Sequence, residues 1–329
     1  MSQSLMLLKR VARPKETTPL RPVTKKPATK LSHLPTEQPN PSAQDLDLKS
    51  SLEIARIINA EDAKVAAAVK AALPQIARAI DLIAKALKQR GRLIYVGAGT
   101  SGRLAALDAS ECPPTFNTDP RTVQFVIAGG TKALHSATEA SEDSAELGQR
   151  EIAKRKPGKH DVVVGIAASG RTPFTIAAIQ YARRHGAKTI AVTCNAASPV
   201  EKAAHLAIVA EVGPEVIAGS SRMKAGSAQK MILNMLSSGA MARLGYVYGN
   251  LMINVHVKNE KLLARGLTIL QQAAAINREA AEQALKAADN RVPVALVMLQ
   301  ANVTRAQATQ ALKSTQGHVR QAITAARAL

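Results

Sequence analysis

Arg92-Leu-Ile-Tyr-Val-Gly-Ala-Gly-Thr-Ser-Gly-Arg103 is a short apolar run that stops in a glycine-rich turn. Its apolar residues do not alternate with polar ones, so it reads as a strand covered on both faces. Four more such runs follow, at 123–128, 161–167, 189–193 and 206–210, and the stretches 104–109, 133–154 and 173–185 between them carry helical spacing. Strands alternating with helices predict an α/β fold built on a doubly wound parallel sheet.

Outward from that core, residues 52–72 and 76–88 repeat their apolar positions at helical spacing. Downstream, 225–244 and 260–275 do the same. Three short amphipathic patterns at 278–287, 292–299 and 304–312, with a tail after Gly317, predict a small C-terminal three-helix bundle. The expected partition is a disordered basic tail over 1–45, a catalytic domain over 46–270 and the helical domain over 271–329.

Hydrophobic residues make up 46% of the 329, aromatics only 2%, and Trp is absent, so the core must be built from Ala, Ile, Leu and Val. Cys112 and Cys194 are too few for a disulfide framework, which fits a reducing compartment. No apolar run approaches the roughly 20 residues of a membrane span. Leu5 to Leu8 is too short for a secretory segment, so a cytoplasmic location and no membrane partner are expected.

The formal charge is +20. In the first 33 residues eight basic side chains face one acid, Glu16, leaving +7 there and +13 in the rest. Such a balance attracts polyanions, but it equally suits a small anionic substrate. With four Tyr, three Phe and no Trp, stacking platforms for bases are scarce, and nucleic acid is not the expected partner.

Three loops have the chemistry to hold a phosphate at the carboxyl ends of strands. In 97–103, Gly99 lets the backbone approach an anion, and Thr100 and Ser101 add hydroxyls at a helix start. In 168–172, Ser169, Gly170 and Thr172 repeat the arrangement before Pro173. In 219–227, Arg222 and Lys224 stand in a small-residue loop. The plain alternative is ordinary turn chemistry, weakened by two such loops at equivalent strand ends. Gly97-x-Gly99-x-x-Gly102 superficially matches a dinucleotide fingerprint, but the next strand ends in Ala128-Gly129-Gly130 with no acid for a ribose.

Two carboxylates stand out. Glu111 lies in Asp108-Ala-Ser-Glu-Cys-Pro-Pro-Thr-Phe116, where Pro113-Pro114 should end a short helix; it is a candidate general acid or else a surface carboxylate. Glu142 belongs to a cluster with His135, Glu139 and Asp143 on a predicted helix, which is either functional or a solvated acidic face. A metal site needs three or four convergent ligands, and no second ligand set accompanies these, so no metal and no cofactor are expected. Cys112 has no obvious His partner and reads as a packed thiol.

The stretches 95–104, 107–116, 165–174, 213–230 and 248–252 together resemble the N-acetylmuramic acid 6-phosphate etherase family. The resemblance runs from about Leu34, through Thr36-Glu37, Asn40-Pro41 and Leu46-Asp47, to near the C-terminus. It implies a sugar isomerase (SIS) domain followed by a helical domain similar to a ubiquitin-associated bundle. It also implies a homodimer acting on a phosphorylated amino sugar. The implied reaction cleaves the D-lactyl ether of N-acetylmuramic acid 6-phosphate, in recycling of the cell wall. By similarity Glu111 matches the family's acid and Glu142 its second catalytic glutamate, the base at C2. Ser101, Ser169 and Thr172 match the hydroxyls that hold phosphate. The basic extension over residues 1–33 falls outside the family pattern. The alternative from another class is a non-catalytic phosphosugar-binding regulatory protein, like the longer one that inhibits glucokinase; a third is an aldose–ketose isomerase, which leaves the 108–116 block unexplained.

Overall fold

The computed structural model describes residues 34–136, 139–255, 257 and 259–328. The basic stretch 1–33 of the expected tail lies outside them. Residues 34–45, expected to share the tail's disorder, are instead held down. Thr36 is 1% exposed; its carbonyl accepts the Gly219 N–H at 3.1 Å and its hydroxyl the Asn195 amide at 3.2 Å. Asn40 Nδ2 donates to the Pro214 carbonyl at 3.0 Å. Polar anchors rather than an apolar repeat fix this segment, which is why periodicity misses it.

The five apolar runs are the five strands: β1 (Leu93–Gly97), β2 (Val123–Ile127), β3 (Val162–Ile166), β4 (Lys188–Thr193) and β5 (Leu206–Val209). All pair in parallel in the order β2-β1-β3-β4-β5, with Gly97 opposite Ile127 on one side and Ile166 on the other. The helices before the sheet are α1 (Ser51–Asp62), α2 (Val65–Ala71) and α3 (Leu73–Lys88). Between and after the strands come α4 (Gly99–Phe116), α5 (Glu139–Glu142), α6 (Ala145–Ala153), α7 (Pro173–Arg184), α8 (Pro199–Ala203) and α9 (Lys224–Arg243).

Both faces of the sheet are covered, as continuous apolar strands require. Leu93 and Tyr95 of β1 point into the layer of α3, α4 and α9. Ile94 and Val96 point the other way, against Ile152 of α6 and Phe174 and Ile179 of α7. All seven side chains are fully buried, and each aliphatic one contributes about 1.5–3 kcal/mol relative to exposure.

Three local expectations need correction. Pro113-Pro114 do not end α4: it runs to Phe116 and stops at left-handed Asn117, whose N–H donates to the Pro113 carbonyl at 2.8 Å. The prolines forfeit two donors, but Cys112 and Phe116 are buried in the core and hold that turn in place. The single helix expected over 133–154 is broken, because Ser144 accepts the Leu147 N–H at 3.1 Å and starts α6 afresh. Upstream, His135 closes a 3-10 turn over Gly130–Leu134 while Glu142 ends α5, so the two do not share a helix face.

The third correction concerns the C-terminal part. Helices α10 (Glu260–Ala274), α11 (Arg278–Ala287), α12 (Val292–Ala301) and α13 (Arg305–Ser314) are joined by α14 (Val319–Arg327) in the stretch read as a tail. Gly317, at φ +87, makes the turn that admits it. Leu267, Ile269 and Leu270 of α10 share one core with α11 to α14, so the boundary expected at 270 cuts a helix of this bundle.

Candidate functional site

In the order β2-β1-β3-β4-β5 the chain reverses its winding between β1 and β3. The crevice outside the carboxyl ends of those two strands is where open α/β sheets bind ligands. The loops after β1 and β3 are the first two phosphate candidates, and pairing of Gly97 with Ile166 sets them side by side.

The N-cap of α4 is Ala98, whose methyl cannot accept a hydrogen bond from the first turn, and the positive end of the helix lies at the crevice. Gly99 holds φ +51 there. Ser101 is 7% exposed and its hydroxyl donates to Gln229 Oε1 of α9 at 2.8 Å. The Gln229 Nε2 is buried without a hydrogen-bond partner among the described residues. A Cβ on Gly226 would sit 3.5 Å from the Thr100 methyl, so α9 backs this loop closely.

Ser169 Oγ accepts the Arg171 N–H at 3.3 Å. Gly170 holds φ +69, and a Cβ there would collide with Ser198 and lie 2.8 Å from Thr193 Oγ1. The Asn195 amide ties the loop down through the Ala168 carbonyl at 2.9 Å. Thr172 stands at the N-cap of α7 without spending its hydroxyl on a cap, and Pro173 takes the first helical position.

The third loop is built differently. Glu215 is fully buried and accepts the N–H groups of Lys224 and Ala225, both at 2.9 Å. A carboxylate thus already fills the start of α9. Lys224 is 1% exposed and its Nζ pairs with Glu61 Oε2 of α1 at 2.6 Å. Burial acts to raise the Glu61 carboxyl, yet hydrogen bonds from Lys224, Lys64 and Asn40 outweigh it and hold it down to about 2. Arg222 is exposed. Within this chain, then, Lys224 is committed to an interior ion pair rather than to the crevice.

The half-buried Glu142 carboxylate lies over the first loop: its Oε1 is 2.9 Å from where a Cβ on Gly99 would sit. Glu111 stands exposed on α4, twelve residues beyond Gly99 and so about 18 Å along the helix axis. Two catalytic carboxylates that flank one sugar bond stand about 5–10 Å apart. Along α4, Glu111 therefore lies well beyond the loop that Glu142 overlies. Among the described residues no three of His, Cys, Asp and Glu gather closely enough for a metal ion.

Sequence comparison bears on this crevice directly. The glucokinase regulatory protein N-terminal SIS domain matches over residues 75–183, and the SIS domain over 154–238. The N-acetylmuramic acid 6-phosphate etherase of Photorhabdus laumondii is 49% identical, over 90% of this chain and 99% of that one. That of Aeromonas hydrophila is 50% identical, over 88% and 98%, and that of Clostridium beijerinckii 46%, over 89% and 96%. The chain belongs to the N-acetylmuramic acid 6-phosphate etherase family. Among solved structures, a phosphoheptose isomerase from Francisella tularensis aligns with a TM-score of 0.48 at 18% identity, over 59% of this chain and all of that one.

Within this etherase-family chain the 108–116 block does structural work beside Glu111. Asp108 accepts hydrogen bonds from the Tyr95 hydroxyl and Asn234 Nδ2, both at 2.8 Å, and from Ser237 Oγ at 3.0 Å. Burial pushes its carboxyl up against those donors. The network locks α4 to β1 and α9. Cys112, 2% exposed, has its thiol pushed up to about 12 by burial first and by Asp108 second, the behaviour of a packed thiol. Sequence reasoning missed Gln229, Asn195, Glu215 and Glu61 as supports of the site; only Gln229 and Glu215 fell in blocks that had drawn notice. No helix among the described residues is long and apolar enough to cross a membrane.

Proposed function

We propose that this protein cleaves the D-lactyl ether of N-acetylmuramic acid 6-phosphate, giving N-acetylglucosamine 6-phosphate and D-lactate. The observation that carries the proposal is the Glu142 carboxylate set over Gly99, at the loop that holds Ser101 and the positive end of α4. Ser101, Thr100 and Gly99 bind the phosphate from one side, and Ser169, Gly170 and Thr172 from the other. Arg222 adds long-range attraction for the charged substrate.

The chemistry is proton transfer. In the open-chain sugar the C1 aldehyde acidifies C2–H, and Glu142 takes that proton. The C3–O bond then breaks, and Glu111 gives its proton to the departing lactate oxygen. Water adds to C3 with Glu111 as base, and the proton returns to C2. The sum is ether plus water to alcohol plus lactate, without change of oxidation state.

The rise of about 18 Å along α4 from Gly99, which Glu142 overlies, to Glu111 favours a homodimer in which Glu142 of one subunit works with Glu111 of the other. The test is lactate release. Glu111→Gln and Glu142→Gln should each be inactive alone, and mixing the two after subunit exchange should restore about a quarter of wild-type activity, by random pairing of closed two-fold dimers. Lactate release retained in either single variant would remove that residue from its role. Dead singles with no recovery on mixing would place both carboxylates in one subunit's site.

The regulatory alternative is not favoured: the etherase relatives match this chain across nearly their whole length.

A further inference from the structure

At the opposite, amino-terminal edge of the sheet, a cleft of about 880 Å³ opens between the α/β domain and the C-terminal helices. That volume lies within the range of small-molecule sites. Its basic lining comprises Lys88 from the end of α3, Arg90 and Arg92 before β1, Arg121 before β2, Arg243 of α9 and Lys313 of α13. Asp119 is the single acid among the lining residues.

Three of the six cations have ion-pair partners: Arg92 with Asp161, Arg121 with Asp119, and Arg243 with Asp81. Lys88, Arg90 and Lys313 have none among the described residues. Basic side chains at helix ends are common because they offset the helix dipole, and that accounts for Lys88, Arg243 and Lys313 one at a time. It does not account for three helix ends and the loops before two strands converging on one concave space. Arg90 holds φ 62, a left-handed conformation that an arginine rarely adopts, on the cleft wall. The half-buried Tyr246 also lines the cleft, and burial raises its hydroxyl pKa, so it stays a hydrogen-bond donor.

We propose that this cleft is a second anion site, separate from the catalytic loops, that binds a small phosphorylated metabolite carrying at least two negative charges. Clustered cations with a neutral donor and concave walls suit multidentate phosphate recognition. The scarcity of aromatic rings in the lining argues against stacked bases.

The test is calorimetric titration of sodium pyrophosphate into the full chain, with N-acetylglucosamine 6-phosphate saturating. Saturable binding is expected, weakened at least tenfold in Arg90→Glu/Lys313→Glu and several-fold in Tyr246→Phe, with lactate release kept in all three proteins. Arg90 and Lys313 are exposed and unpaired, so their reversal leaves the core untouched. Absence of saturable binding would overturn the proposal, as would binding that the double variant leaves unchanged, which would assign it to other basic surface. The comparison of wild type with the double variant holds whether or not the sugar phosphate occupies the catalytic loops, so its failure is distinct from failure of the etherase reading.

Discussion

Lys224→Met separates a structural lysine from a substrate-binding one. Lys224 and Glu61 are 1% and 3% exposed and 2.6 Å apart, joining α9 to α1. Removing one partner of a buried pair leaves the other charge without compensation, at a cost of about 3–5 kcal/mol. The carboxyl tells the same story from the other side. Glu61 is held down to about 2 rather than 4.5 by Lys224, Lys64 and Asn40 together, and at 1.36 kcal/mol per unit the three donors contribute about 3 kcal/mol of stability, of which Lys224 supplies one share. Lys64, 60% exposed, still reaches the second Glu61 oxygen, so the lower end of the range applies. Because the folded pKa is depressed, this contribution is present above the unfolded value near 4.5 and is lost as pH falls towards 2. Urea unfolding at pH 7 should therefore show a loss of about 3 kcal/mol in the variant. Its stability should also decline less between pH 4.5 and 2 than the wild type's. Glu61→Gln/Lys224→Met should recover part of the loss, since no buried charge is then stranded. KM for the sugar phosphate should stay within about twofold. Unchanged stability with a KM raised tenfold or more would refute the reasoning and return Lys224 to the substrate.

Gly99→Ala puts a methyl 2.9 Å from Glu142 Oε1 at a φ of +51; kcat should fall at least tenfold while urea stability falls by only about 1–2 kcal/mol. Gly170→Ala meets Ser198 and Thr193 in the interior as well as strain at φ +69, so it should destabilise by about 2–4 kcal/mol and weaken phosphate binding, read by calorimetry with N-acetylglucosamine 6-phosphate. Cys112 and Cys194, both buried with thiols pushed up to about 12, should resist iodoacetamide at pH 8 in the folded protein, by mass spectrometry, and react once it is unfolded in urea.

The strands and their loops were legible because they rest on local signals. An apolar run covered on both faces looks the same wherever it sits in the sheet, and the glycines of 97–102 and 168–172 mark turns at its end. The break before α6 was missed because apolar spacing carries across 133–154, while one hydroxyl, that of Ser144, decides that a new helix begins. Residues 34–45 were missed because their anchors are hydrogen bonds to Asn195, Pro214 and Gly219, far along the chain.

By itself, then, the sequence determined five parallel strands wrapped by helices, two hydroxyl-bearing glycine loops at strand ends, and through its motif blocks the family. Only the tertiary structure decided that the sheet order puts those two loops at one switch point, that Glu142 lies over Gly99, that Lys224 is taken by Glu61 and that Glu111 stands about three turns away on α4. Strand and turn formation are governed by neighbours a few residues away. Which side chain meets which carboxylate depends on contacts between residues far apart in the chain, 43 positions for Gly99 and Glu142 and 163 for Glu61 and Lys224, and those exist only once the layers have closed.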